Sequence, residues 1–153
     1  MTQPKLPLEG IRVAEFCHVV MGPTCGLVLA DLGAEVIKVE SPGGDYIREM
    51  TWPIVEGVSL LHLHVHRGKQ SIVLDLRKPE AVAVYLDLVR GADVVVEAMR
   101  PGSLAKRGLG FRQLHVGLPK ICVAPVRDVA AQQITSFAQG GPVAPRVDLL
   151  PME

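Results

Sequence analysis

The sequence predicts an α/β fold, a parallel sheet with helices on both of its faces. Three observations predict it: short apolar runs of strand length, segments of helical length between them that close on glycine, and the alternation of the two along the chain. Strands and helices in that order form right-handed crossover units, which lay the strands side by side and the helices over them. The 153 residues suffice for one domain with a real core and are too few for two of ordinary size.

Ile11 to Phe16 is the first strand, and it leads through Cys17-His18-Val19-Val20-Met21 into Gly22-Pro23-Thr24. Pro23 suits the first helical position, where a missing N–H costs nothing. Cys25 to Leu32 then reads as a buried helix stopped by a left-handed Gly33. Glu35 to Glu40 is the second strand, closed by the turn Ser41-Pro42-Gly43-Gly44-Asp45. Residues 46–66 carry no clear local signal. Ser71 to Leu76 is the third strand, and Lys78-Pro79-Glu80 opens a helix in which Val82, Leu86 and Val89 recur at helical spacing up to Gly91. The Val-rich run Asp93 to Glu97 is too short for a helix and suits a strand buried on both faces. Short helices follow at Ser103 to Arg107, ended by Gly108, and at Phe111 to Val116; Ile121 to Ala124 allows one more strand. The prolines and glycines beyond show no sustained period. We therefore expect a domain at 1–117 and a divergent, poorly ordered tail at 118–153.

Sixteen cationic and sixteen anionic residues give a net charge of +0, so no overall field draws nucleic acid or a membrane surface. No apolar run approaches the roughly 18 residues of a membrane span. The N-terminus lacks the apolar stretch of a secretory signal, and a soluble, cytoplasmic protein is expected. Cys17, Cys25 and Cys122 are odd in number and lack CxxC spacing, so they read as reduced thiols in the core. His62, His64 and His66 alternate and would share one face of a strand, but no neighbouring cysteine or carboxylate completes a ligand set, and no metal is expected. His18 reads as a near-core histidine rather than a general base. No GxSxG, Walker A, HExxH or GxGxxG pattern occurs.

In open α/β sheets ligands bind beyond the carboxyl ends of the strands. Three segments could hold an anion there. The first is His18 to Pro23, where Gly22 would let a ligand approach the backbone. The second is His66-Arg67-Gly68-Lys69-Gln70-Ser71 with Arg77-Lys78, whose Arg67 and Lys69 could bind phosphates. The third is Glu97 to Gly102, with Arg100 at a strand end and Lys106 one turn on. Each is locally also readable as an ordinary turn.

Taken together, Leu8-Glu9-Gly10-Ile11-Arg12-Val13, Gly22-Pro23, the run from Leu29 to Glu40, and Pro42-Gly43-Gly44-Asp45 resemble the opening of class III CoA-transferases, the CaiB/BaiF family. Lys69 to Leu76, Ala92 to Glu97, Arg100-Pro101-Gly102 and Gly108-Leu109-Gly110-Phe111 continue that resemblance in order over about 110 residues. From Leu118 the family pattern is only faintly echoed. The resemblance implies a Rossmann-like domain, truncated relative to the family, that takes a coenzyme A ester as substrate and needs no other cofactor. The partners it implies are an acyl-CoA and a carboxylic acid acceptor, with homodimers once the rest of the family chain is supplied. CoA-contact positions carry over to Val20, Met21, Leu74, Asp75, Leu76, Arg77, Ala98, Met99, Arg100 and Lys106. The family's nucleophilic aspartate belongs to a later Gly-Asp motif, which the surroundings of Asp148 do not match, so no catalytic residue is assigned and the chain alone is expected to be inactive. A non-catalytic CoA-binding module and a racemase-type relative are the alternatives.

Overall fold

A computed structural model describes residues 5–100, 102–119 and 121–125. Its strands are β1 (Arg12–Phe16), β2 (Glu35–Glu40), β3 (Pro53–Val55), β4 (Val58–Ser59), β5 (Lys69–Val73), β6 (Val94–Glu97) and β7 (Cys122–Pro125). Its helices are α1 (Met21–Asp31), α2 (Leu60–His66), α3 (Pro79–Arg90) and α4 (Phe111–Gly117). Five strands form one parallel sheet in the order β5-β2-β1-β6-β7. The chain starts at β1 in the middle, builds outward through β2 to β5, then returns to β6 on the other side of β1. That reversal sends the loops after β1 and β6 away from each other and opens a crevice at the carboxyl edge.

Four sequence expectations shift. The third strand occupies 69–73 rather than 71–76, because Asp75 turns the chain: its carbonyl accepts the Lys78 N–H at 2.8 Å and its carboxylate accepts the Arg77 N–H at 3.2 Å. The first helix starts at Met21, so Pro23 is third rather than first, still within the turn whose N–H groups have no helical partner. The segment without a clear signal holds a 3-10 turn at Tyr46–Arg48, the β3–β4 hairpin and α2. Ser59 caps α2, its Oγ accepting the His62 N–H at 3.0 Å. The three histidines therefore lie on a helix, where His62 and His66 meet with ring centroids 4.6 Å apart and His64 is exposed elsewhere. Among the described residues no group of side chains could hold a metal ion. The strand foreseen at 121–124 pairs with β6, so the sheet runs on past residue 117. The tail from 126 onward lies outside the described residues.

The two faces of the sheet differ. On one, Ala14, Phe16, Val39 and Val95 pack against Tyr85 and Val89 of α3 and Leu104, Leu109 and Leu114 around α4. On the other, under α1, Val13, Cys17, Val36 and Val96 share the interior with buried Glu15, Lys38 and Glu40. Only one of the three free cysteines is a core residue: Cys17 is buried, Cys25 half-buried and Cys122 exposed. No helix among the described residues is long and apolar enough to cross a membrane.

Candidate functional site

A cleft of about 410 Å³ lies at the carboxyl edge of the sheet, on the α3 and α4 side. Phe16 and His18 reach it from β1, Ser41, Pro42 and Gly43 from the turn after β2, and Leu74 to Arg77 from the end of β5. Met99, Ser103, Leu104 and Arg107 close it from the segment after β6. Its lining is mixed, with Phe16, Leu74, Leu76, Met99 and Leu104 apolar and His18, Ser41, Asp75, Arg77, Ser103 and Arg107 polar or charged.

Two guanidinium groups line the cleft and differ in availability. Arg77 donates Nε to Asp75 Oδ1 at 2.7 Å and Nη2 to Asp75 Oδ2 at 2.9 Å, a bidentate pair that cancels its charge locally. Hydrogen bonds from Arg77 hold the Asp75 carboxyl down at about 2. Arg107 donates Nη1 only to the Ser103 carbonyl, at 2.9 Å, and has no carboxylate partner among the described residues. Arg107 is exposed at the cleft rim.

Of the ten positions carried over from the resemblance, Leu74, Asp75, Leu76, Arg77 and Met99 line the cleft. Val20, Met21, Ala98, Arg100 and Lys106 do not. Ala98 packs with the cluster under α1, Val20 and Met21 are exposed at the start of that helix, and Arg100 and Lys106 are exposed. The 3-10 turn at Ala105–Arg107 brings Arg107, rather than Lys106, to the cleft wall. Sequence reasoning missed Arg107 because both cations follow Ser103 within one turn, and only the turn's pitch separates them.

The cationic segment at 66–71 lies away from the cleft. It enters the amino end of β5, at the opposite edge from the cleft, and both of its strongest cations are engaged. Arg67 Nη2 pairs with Asp31 at 2.5 Å, and Lys69 Nζ is buried against Glu15 Oε2 at 2.6 Å and the Pro23 carbonyl at 2.6 Å. Burial pushes the Lys69 ammonium down, and Glu15 partly restores it. Gly22, expected to admit a ligand, instead admits Cys17: a Cβ there would lie 2.5 Å from the Cys17 side chain.

Lys69 belongs to a buried ionic network beneath α1. Lys38 Nζ lies 3.3 Å from Glu15 Oε1, 2.9 Å from Asp45 Oδ2 and 2.7 Å from the Cys17 carbonyl that it donates to. Glu40 accepts Arg48 Nε and Nη2 at 2.9 and 2.7 Å, Ser71 Oγ at 2.7 Å and the Asp45 N–H at 2.9 Å. Burial alone would raise the Glu40 carboxyl, but those donors outweigh it and hold it at about 2. Burial would likewise raise the Asp45 carboxyl, but the hydrogen bond from the Val19 N–H and the neighbouring Lys38 ammonium outweigh it and hold it below its usual value. His66, buried beside the two lysines, is depressed to about 3 and stays neutral. Gly26 makes room for this network, since a Cβ there would stand 1.8 Å from Glu15 Oε2.

The sequence matches the family model of CoA-transferase family III over residues 8–148, well past Leu118. Succinate–glutarate CoA-transferase of Agrobacterium fabrum is 46% identical over 151 residues, covering 94% of this chain and 36% of that protein. Succinyl-CoA–D-citramalate CoA-transferase of Chloroflexus aurantiacus is 41% identical over 141 residues, covering 92% and 33%. Among solved structures, Rv3272 from Mycobacterium tuberculosis superposes with a TM-score of 0.73 at 36% identity, over 97% of this chain and 46% of that one. A CaiB/BaiF family protein from Brucella suis gives 0.70 at 41% identity, over 78% and 33%. The chain thus spans about a third of the length of the curated relatives it matches.

Proposed function

The chain belongs to CoA-transferase family III, and on that premise we propose that its α/β domain binds the CoA part of an acyl-CoA in the cleft at the carboxyl edge of the sheet. The observation that carries this reading is that apolar side chains and Arg107, which has no carboxylate partner among the described residues, line one cleft. CoA presents the same two features, anionic phosphates and a long, weakly polar pantetheine arm with a flat adenine. Phe16, Leu74, Leu76, Met99 and Leu104 supply apolar wall, and His18, Ser41 and Ser103 supply polar contacts. Arg77 serves as a second phosphate ligand once the phosphate displaces Asp75 from its fork. The protein to which this domain belongs would move CoA from an acyl-CoA to a carboxylic acid acceptor, as the names of its relatives say of those proteins. Assembly as a homodimer and a cytoplasmic setting are part of the same proposal, as is a role for Arg100 and Lys106 toward the outer end of the ligand.

Calorimetric titration of the folded chain with CoA tests it. Binding should be measurable, and Arg107→Ala should weaken it by about 1.5–3 kcal/mol, the worth of a charged hydrogen bond. Folded wild-type protein that takes up no CoA would contradict the reading.

A further inference from the structure

We propose that Asp45 is a positioning residue for the cleft, whose buried carboxylate holds Val19 in a left-handed conformation and so fixes the loop that carries His18, Val20 and Met21. This rests on the reading of the cleft as a CoA site. Val19 has φ 67, a region that a β-branched residue rarely enters because its side chain crowds the backbone. Such a conformation persists only where surrounding contacts over-determine it.

Those contacts are present on both sides of His18. Asp45 Oδ1 accepts the Val19 N–H at 2.9 Å and the Ile47 N–H at 3.1 Å. Its Oδ2 is held 2.9 Å from Lys38 Nζ, and the same ammonium donates to the Cys17 carbonyl at 2.7 Å. The backbone at 17 and at 19 is therefore gripped by two halves of one buried ion pair, with His18 between them facing the cleft. Asp45 also follows directly on the turn whose Ser41, Pro42 and Gly43 line the cleft as well. One carboxylate thus fixes the distance between two walls of the cleft. The network around them carries further charges, Glu15, Lys69 and, through the Asp45 N–H, Glu40, while neutral His66 lies 3.8 Å from Asp45 Oδ2. This role is distinct from catalysis, since Asp45 is buried and does not line the cleft.

The test is a rescue. CoA affinity is measured for wild type, Asp45→Ala, and Asp45→Ala combined with Val19→Gly, together with hydrogen exchange at the Val19 amide. Loss of the carboxylate should weaken CoA binding about tenfold or more by freeing Val19 to leave its strained angle. Glycine adopts that angle without steric cost, so the double variant should regain most of the affinity. An Asp45 that served only to neutralise Lys38 would give a double variant as weak as the single one, and that result overturns the proposal. So does a folded Asp45→Ala protein with wild-type affinity, or a wild-type Val19 amide that exchanges at the open-chain rate. Should Asp45→Ala not fold, Val19→Pro removes the donor and the left-handed angle while sparing the Asp45–Lys38 pair; wild-type CoA affinity in that variant also overturns the proposal. Wild-type protein that does not bind CoA at all sinks the CoA reading instead, and the Val19 amide still decides whether the clamp exists.

Discussion

The face of the sheet under α3 and α4 is held together by apolar contact, whereas the face under α1 buries three carboxylates and two lysines beside its apolar residues. Both are interior surfaces of the same five strands. On the first, shape and area decide stability, and the loss of one atom is local. On the second, every charge depends on a neighbour, because an ion pair offsets its desolvation only while its partners are in place. The difference bears on function: the charged face is where the loop beside the cleft is anchored, through Asp45 and Lys38. The apolar face supplies the slot itself.

The sharpest way to break that contrast is Lys38→Met. It leaves Asp45 without its cation and Glu15 with Lys69 alone, and it should cost roughly 3–5 kcal/mol in chemical denaturation. A cost under about 1 kcal/mol would show that the network is not tightly coupled. Acid should act next. The folded-state pKa values of His66 and Glu40, about 3 and about 2, lie below their unfolded ones, so the unfolded chain binds more protons as pH falls. The contribution of neutral His66 is complete above about pH 6.5 and is lost toward pH 3; that of Glu40 is complete above about 4.5 and is lost toward pH 2. Stability should decline from pH 7 to 5, and His66→Gln should flatten that decline.

On the apolar face the same kind of change should do little. The Tyr85 hydroxyl is buried without a hydrogen-bond partner among the described residues, so Tyr85→Phe removes an unmet polar group. Its expected effect is under about 1 kcal/mol and toward greater stability; thermal melts of the two proteins decide it. Smallest of all is Arg67→Ala. Its pair with Asp31 is about half exposed on both sides, and such pairs contribute about 0–1 kcal/mol. Because Arg67 lies at the edge away from the cleft, titration should also find CoA affinity unchanged.

The sheet was legible in the sequence because its strands are short apolar runs spaced by helices, and the shift of the third strand came only from the turn that Asp75 and Arg77 make together. The charged face was not legible. Lys38 and Glu40 alternate with Val39 in a pattern that ordinarily marks a solvated side, and only the side chains of Glu15, Asp45, Arg48 and Lys69, brought from three other segments, make it an interior. The same long-range pairing governs the cationic segment. Arg67-Gly68-Lys69 has the composition of a phosphate loop, but its cations are taken by Asp31 and Glu15, which lie 36 and 54 residues away. Half of the expected contacts, Leu74 to Arg77 and Met99, do meet at one cleft, because strand ends in this topology converge at the carboxyl edge.

CoA occupying the carboxyl-edge cleft should leave the cationic segment at the opposite edge untouched. Titrating CoA into isotopically labelled protein and following backbone amide shifts tests both places at once. Shifts should concentrate at His18, Gly43, Leu74 to Arg77, Met99 and Ser103 to Arg107, with residues 66–71 unmoved; shifts concentrated at Arg67, Gly68 and Lys69 with a silent cleft would place CoA at the opposite edge instead.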